Sequence, residues 1–505
     1  MSYTIPTIIL ITVYAAIILY FVISGAKKTS SLSDYAVGSI AFSPWSVGLS
    51  LAASITSAAT FVINPGFIAL YGKSAIIAFG IIMPIGVFIS LIILTKSFRK
   101  YGSSVKAKTM AEWMGKRYDN LFYRHLFGVL TLLLIAFIVL ILVGLTKVLS
   151  SALNASELYV LIGLVVFVFG YMMFGGANSM VYTNTIQAIL MIVVAIIMLS
   201  SGYEHLKDGV NGMWAALDRI NPFLDESVNP ESFLFRDWFE IAVCSFVVGV
   251  AVVCQPHIIT KSLLLKTDRD VNWYLIVAII VEALFFSVVW VGLFARLRFP
   301  DLMLNGHPIS MDSIIPTYVV SEFPVFLGLV VILGLISAGL STLEGLIQSV
   351  PTSLTSDLIA PLFLKKHIES DNEKKKLMIN RGVIVFLAVA SAILSYQQLI
   401  NPSLSVAIFA QNGVYAYFAA AFIPVLFGIF LKDAPSIAAI GASITALIVH
   451  FGVYYGRVGW YMQTSVRNPA VSVTYAIFFS LIVGVVLYFI FRKANKGVTS
   501  KIDVA

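Results

Sequence analysis

Apolar runs of about twenty residues, parted by short polar turns, recur along the whole chain. A run of that length crosses a hydrocarbon layer of about 30 Å as a helix. Thirteen spans are predicted, near 5–25, 44–71, 75–96, 121–152, 156–175, 180–201, 238–262, 272–297, 321–352, 381–399, 404–428, 434–456 and 468–491. The first, from Ile5 to Ile23, has no basic flank and no small-residue cleavage site, so it reads as a retained helix. The pieces outside the spans, 97–120, 202–237, 298–320 and 353–380, are too short to fold separately. The expectation is one all-α integral membrane domain. The stretch Thr109-Met110-Ala111-Glu112-Trp113 reads as a capped, short amphipathic helix at the interface.

Three polar interruptions stand out within the spans. The second span carries Ala52-Ala53-Ser54-Ile55-Thr56-Ser57 and then Asn64-Pro65-Gly66. The seventh carries Gln255-Pro256-His257. The ninth places Ala338, Ser341 and Thr342 at i, i+3 and i+4, one stripe of a helix. Hydroxyls and carbonyls there can serve a small hard cation, which takes oxygen ligands. Setting aside the first span and the last two leaves ten, in two sets of five. An odd number inverts the second set relative to the first, and inverted five-helix repeats are a transporter architecture. Each set opens on an interrupted span, and unwound backbone at membrane depth is tolerated only where it is buried or lines a cavity. The division expected is an extra helix and first cytoplasmic loop (1–43), a first repeat (44–201), an extracellular loop (202–237), a second repeat (238–428) and two further helices with a tail (429–505).

Composition narrows the class. Of 505 residues, 59% are hydrophobic and 11% charged, and mean hydropathy is +0.95. A soluble domain carries about a quarter charged residues. The net charge of +8 does not point to nucleic acid, because the basic residues gather in loops. Lys27, Lys28, Lys96, Arg99, Lys100, Lys106, Lys108, Lys116, Arg117, Lys261, Lys266, Arg269, Lys365, Lys366, Lys374 to Lys376, Arg492, Lys493, Lys496 and Lys501 all fall on one side if the N-terminus is outside. The acidic segment with Glu204, Asp208, Asp225, Glu226, Glu231 and Asp237 falls on the other. An outside N-terminus and a cytoplasmic C-terminus follow. Cys244 and Cys254 share one apolar segment and read as core residues, with no disulfide or metal spacing. No nucleotide-binding loop, Ser-His-Asp set or HExxH motif argues for an enzyme or a primary pump.

Several motifs together resemble the sodium:solute symporter family over nearly the whole chain. They are Ser33-Asp34-Tyr35 with Gly38, the segment ASITSAATF from Ala53 to Phe61, and Thr109, Glu112, Arg117 and Tyr118. Phe174-Gly175-Gly176 with Thr183 and Gln187, and Ala338-Gly339-Leu340-Ser341-Thr342, complete the set. Gln255-Pro256-His257-Ile258-Ile259 is most similar to the sodium/proline branch, and Phe61 with Pro65-Gly66 to the pantothenate branch. The resemblance implies an inverted repeat with broken first and sixth core helices and a Na⁺ site between the first and eighth. Its ligands would be the carbonyls of Ala53, Thr56 and Ala338 and the hydroxyls of Ser341 and Thr342. Two departures matter: Ile55 and Asn184 stand where relatives carry aspartates. A neutral Asn184 puts a second Na⁺ in doubt.

Candidate solute ligands are Ser57 and Thr60 after the first break, Gln255 and His257 at the second, and Gln411 with neighbouring Asn412 in the tenth core helix. Thr60 is also a fair packing residue, and His257 could satisfy a carbonyl freed by Pro256. Lys147 could anchor a substrate carboxylate or snorkel to the interface. Glu282 is a buried acid that could carry a proton or make a structural hydrogen bond. Glu344 lies off the Ser341 stripe, nearer the cytoplasmic end, and reads as a lysine partner or gate residue and not an ion ligand. The expected activity is Na⁺-coupled symport of a small organic solute, an amino acid such as proline or a monocarboxylate such as pantothenate, in the cell membrane. Solute, Na⁺ and lipid are its expected partners, without an obligate protein partner. The rival readings are a proton-coupled carrier using Glu282 and a non-concentrative uniporter or sensor.

Overall fold

The computed structural model of the protein describes residues 4–39, 41–104, 107–265, 267–363, 369–401 and 405–492. Eleven described helices are long and apolar enough to cross a membrane, and two bent pairs make one span each. In chain order they are α1 (Ile5–Ala26), α2 (Pro44–Ile55 and Ala59–Tyr71, bent by 54°), α3 (Lys73–Tyr101), α4 (Leu121–Leu153), α5 (Glu157–Gly175) and α6 (Ala177–Leu206). There follow α7 (Phe239–Val252 and Pro256–Leu264, bent by 56°), α8 (Asp268–Arg298), α9 (Val325–Ile359), α10 (Glu373–Ile400), α11 (Val406–Phe430), α12 (Ser436–Tyr455) and α13 (Pro469–Phe491). A two-residue hairpin, Met303–Leu304 against His307–Pro308, is the only strand pair among the described residues.

The breaks in α2 and α7 have local causes. In α7, Gln255 is extended and Pro256 starts the second half, where its missing N–H costs no helical bond. In α2, Pro65 removes a donor one turn past the break. The turn before it widens into a π-helix over Ala59–Ile63, and the Asn64 N–H reaches back to the Ala59 carbonyl.

Packing follows the inverted relation of the two sets. The first five-span set is α2 to α6 and the second is α7 to α11. The pair α2–α8 matches α7–α3, α4–α11 matches α9–α6, and α2–α6 matches α7–α11; all six pairs are in contact. Glycines permit the closest approaches: a Cβ on Gly249 of α7 would stand 2.2 Å from the Met83 carbonyl of α3. Small residues at such crossings suit a membrane, where packing and not hydrophobic expulsion drives helix association.

Two residues counted above among the loop charges are inside the protein. Lys261 is 3% exposed, and Arg99 is 7% exposed with its guanidinium 2.6 Å from Asp268. The reason is geometric: α7 runs on to Leu264, so Lys261 is still in the bundle. Lys106, Lys266, Lys365, Lys366, Lys493, Lys496 and Lys501 lie outside the described residues. The short helix Met110–Arg117 is capped by Thr109 as expected, but it docks on protein. Trp113 is fully buried and stacks on Phe98, and Arg117 donates to the carbonyls of Gly428 and Leu431. At the other end, Arg236 and Glu240 form a buried pair that Asn468 joins, tying the 202–237 segment to α13.

The glycine crossing yields a test. Gly249→Ala is expected to lower thermal stability in detergent by about 1–3 kcal/mol, the usual cost of overpacking. Gly163→Ala, with nothing within 4 Å of its Cβ, should be neutral or gain up to about 1 kcal/mol from helix propensity. Equal melting of both variants would disprove the close approach of α3 and α7.

Candidate ion and solute site

The break in α2 leaves carbonyls without helical partners, and α9 supplies donors to them. Ser341 Oγ lies 2.6 Å from the Ala53 carbonyl and 3.0 Å from that of Ala338. Thr342 Oγ1 lies 3.2 Å from the Ser54 carbonyl, 3.3 Å from Thr56 and 3.5 Å from Ala338. All five predicted ion ligands therefore converge on one point, and every one of those residues is fully buried. Each hydroxyl has one hydrogen and two lone pairs, so it can satisfy a carbonyl or turn its oxygen to a cation. No carboxylate or thiolate is in the set, which suits a weakly held alkali ion and not a resident divalent metal. No group of three His, Cys, Asp or Glu side chains able to hold a metal occurs among the described residues.

A cavity of about 110 Å³ lies beside the break. Ser57, Thr60, Gln255 and Gln411 all line it, together with Asn64 and Tyr415. Its remaining wall is apolar, including Phe137, Leu140, Val252 and Phe286, and it has no charged side chain. Ser57 also caps the second half of α2, accepting from the Ala59 N–H at 3.1 Å. Gln255 donates to the Val252 carbonyl at 3.2 Å, and its Oε1 is buried without a partner among the described residues. A larger apolar groove, between α1 and α5 and lined by Leu19, Val166 and Phe174, holds none of the predicted site residues. Those three side chains are exposed on the outer flank of the bundle.

The other predicted residues stand apart from the cavity. Lys147 pairs with Glu157 at 2.7 Å, across the turn from α4 to α5. His257 packs against Gly345 of α9 and near the Phe137 ring, and neither ring nitrogen has a partner among the described residues. Asn412 turns to Tyr455 and His450 of α12. Glu282 of α8 accepts from the Thr56 hydroxyl at 2.8 Å, and its second oxygen has no described partner. It thus props the broken segment from outside the ion site.

Sequence reasoning missed Lys261. Its ammonium donates to the Ser50 carbonyl and hydroxyl, each at 2.7 Å, and to the Ser54 hydroxyl at 2.6 Å. The amide of Asn184 satisfies every neighbour when its oxygen faces Ser54 and Lys261 and its nitrogen faces Glu344 and Gln187. Glu344 also accepts from Tyr171, Thr183 and Gln187. A lysine six residues beyond Gln255 could have been suspected once the helix after the break was continued inward.

Comparison with known proteins agrees with this architecture. The pattern that defines the sodium:solute symporter family matches residues 35–446. The chain is 27% identical to a sodium/pantothenate symporter of Haemophilus influenzae, over 88% of each chain. It is 23% identical to a sodium/proline symporter of Staphylococcus aureus, over 97% of this chain and 93% of that one. A solved Na⁺-coupled sialic acid symporter in a substrate-bound outward-open state superposes with a TM-score of 0.77 at 17% identity, over 96% and 97% of the two chains.

The prop on the break can be tested without any solute. Thr56→Val removes the hydroxyl that reaches Glu282 while keeping the backbone carbonyl. The stranded acid is expected to cost about 1–3 kcal/mol of stability, and Thr56→Ser should restore it. A Val variant that melts with wild type would refute the role.

Proposed function

This chain belongs to the sodium:solute symporter family, multi-pass membrane transporters and not enzymes, and we propose that it drives uptake of a small polar organic solute with an inward Na⁺ gradient. Ala53, Thr56, Ala338, Ser341 and Thr342 hold the Na⁺, and the solute occupies the cavity lined by Ser57, Thr60, Gln255 and Gln411. The observation that carries this reading is the convergence of two α9 hydroxyls on the freed carbonyls of α2, next to that cavity. A Na⁺ ion there would tie α2 to α9 and favour the conformation in which both oxygen sets meet. Solute then binds beside the stiffened break, and relative movement of the helix bundles releases both on the other side. The wall also bears on the solute. It offers hydroxyls, amides and a helix start but no fixed charge, which fits a compact amphipathic solute. Proline and pantothenate are the two candidates, since relatives carry those names. Lys147 is occupied by Glu157 and is set aside as an anchor for a carboxylate. The N-terminus lies outside and the C-terminus in the cytoplasm, on the strength of basic residues such as Lys27, Lys28, Lys116 and Arg269.

One observation supports a second reading. Glu282 is a membrane-buried acid with one oxygen unpartnered among the described residues, joined to the broken segment through Thr56, so a proton could replace Na⁺ as driver.

Uptake into proteoliposomes separates the readings. With labelled proline and pantothenate, accumulation is expected under an inward Na⁺ gradient and not under K⁺. Ser341→Ala with Thr342→Ala should raise the Na⁺ concentration for half-maximal uptake tenfold or more, because contacts to a charged group are worth about 1.5–3 kcal/mol each. Gln255→Ala should weaken solute binding and leave the Na⁺ response. Uptake that persists without Na⁺ and stops in Glu282→Gln would select the proton reading. Equal, non-concentrative uptake under both gradients would leave a uniporter.

A further inference from the structure

The polar cluster around Lys261 is built like a cation site. The ammonium is buried where α2, α6 and α7 meet. Four oxygens surround it: Ser50 O, Ser50 Oγ and Ser54 Oγ at 2.6–2.7 Å, and the Asn184 amide oxygen at 3.1 Å. No acid makes a direct ion pair with it among the described residues. Glu344 of α9 stands one amide away, where Asn184 donates to its Oε2 at 3.1 Å. Glu344 is itself fully buried and receives further hydrogen bonds from Tyr171, Thr183 and Gln187. A shell of hydroxyl, carbonyl and amide oxygens is what a small hard cation takes, and the carboxylate behind it offsets the cation's charge. Here the chain supplies the positive charge itself, on a tether rooted in the helix after the second break.

We propose that Ser50, Ser54, Asn184 and Glu344 form a second cation site that Lys261 permanently fills, so that this transporter binds one Na⁺ and not two. The proposal deepens the reading given above and rests on it, because the cluster adjoins the ion site through Ser54. A tethered ammonium balances Glu344 at every stage of the cycle, and a dissociable ion would have to be carried along with the solute. The chemistry also explains why no acid is needed at position 184: a carboxylate beside a fixed ammonium would lock as an ion pair, whereas an amide bridges an ammonium and a carboxylate at once.

The test is a count of Na⁺. Full-length protein in nanodiscs is titrated to saturation with radioactive Na⁺, and the difference between Lys261→Ala and wild type is read. One additional Na⁺ per chain in the alanine variant is expected, displaced by n-propylammonium, which supplies the three carbons and the ammonium that the substitution removes. Lys261→Met fills the space without charge and should gain none. An alanine variant with the wild-type count overturns the proposal, and so does an extra ion in both variants. If the alanine variant does not survive purification in choline, recovery in Na⁺ or n-propylammonium supports the site, and loss in all three overturns it. The wild-type count, compared with Ser341→Ala plus Thr342→Ala, reports separately on the ion site at the α2 break. Failure there leaves the difference at Lys261 standing as its own result.

Discussion

A hydrocarbon layer offers no partner to a free carbonyl, and this constraint organises the centre of the molecule. Breaking α2 after Ile55 frees the carbonyls of Ala53, Ser54 and Thr56. They persist there because Ser341 and Thr342 of α9 stand opposite. The same hydroxyls that make the break tolerable are those a Na⁺ ion would use. In the proposed role, structural necessity and ion binding would be two uses of one set of atoms. A Na⁺ ion bound there would exchange one satisfied arrangement for another and could leave without stranding a polar group.

The second constraint is the inverted packing. It brings the break in α7 to the same region as the break in α2, from the opposite repeat. Helix ends and side-chain amides from both breaks then face one cavity. Its wall is neutral, because charge at this depth is costly unless paired. The charges that do occur nearby are spent on the protein itself: Lys147 on Glu157, and Lys261 on Ser50, Ser54 and Asn184. Glu282 is the exception, an acid held by one threonine at the edge of the ion site.

The buried network from Lys261 to Glu344 links α2, α5, α6, α7 and α9. These helices belong to both repeats, and any relative movement of the repeats must strain or rearrange it. Hydrogen bonds in such surroundings are strong when complete and expensive when broken. The cluster therefore bears on which conformations the transporter can adopt and, in the role proposed for Lys261, on how many ions it carries.

Hydropathy alone was enough for the thirteen spans, since the length of an apolar run is a local property. The breaks at Thr56 and Gln255 were legible as well, from small polar residues and proline inside greasy segments. So was the Ser341 stripe, because helical spacing places it on one face. The candidate carbonyl ligands Ala53 and Thr56 came only from family resemblance, because a backbone oxygen leaves no mark in a residue pattern. The sequence could not place side chains that depend on neighbours far along the chain. Ser57, Thr60, Gln255 and Gln411 share a cavity, while Lys147, His257 and Asn412 turn to other partners. Lys261 reads as a loop charge in one dimension and is a buried centre in three. A span is decided by the chain's own hydropathy, but the partner of a polar group inside it is decided by which helices the inverted packing brings within about 3 Å.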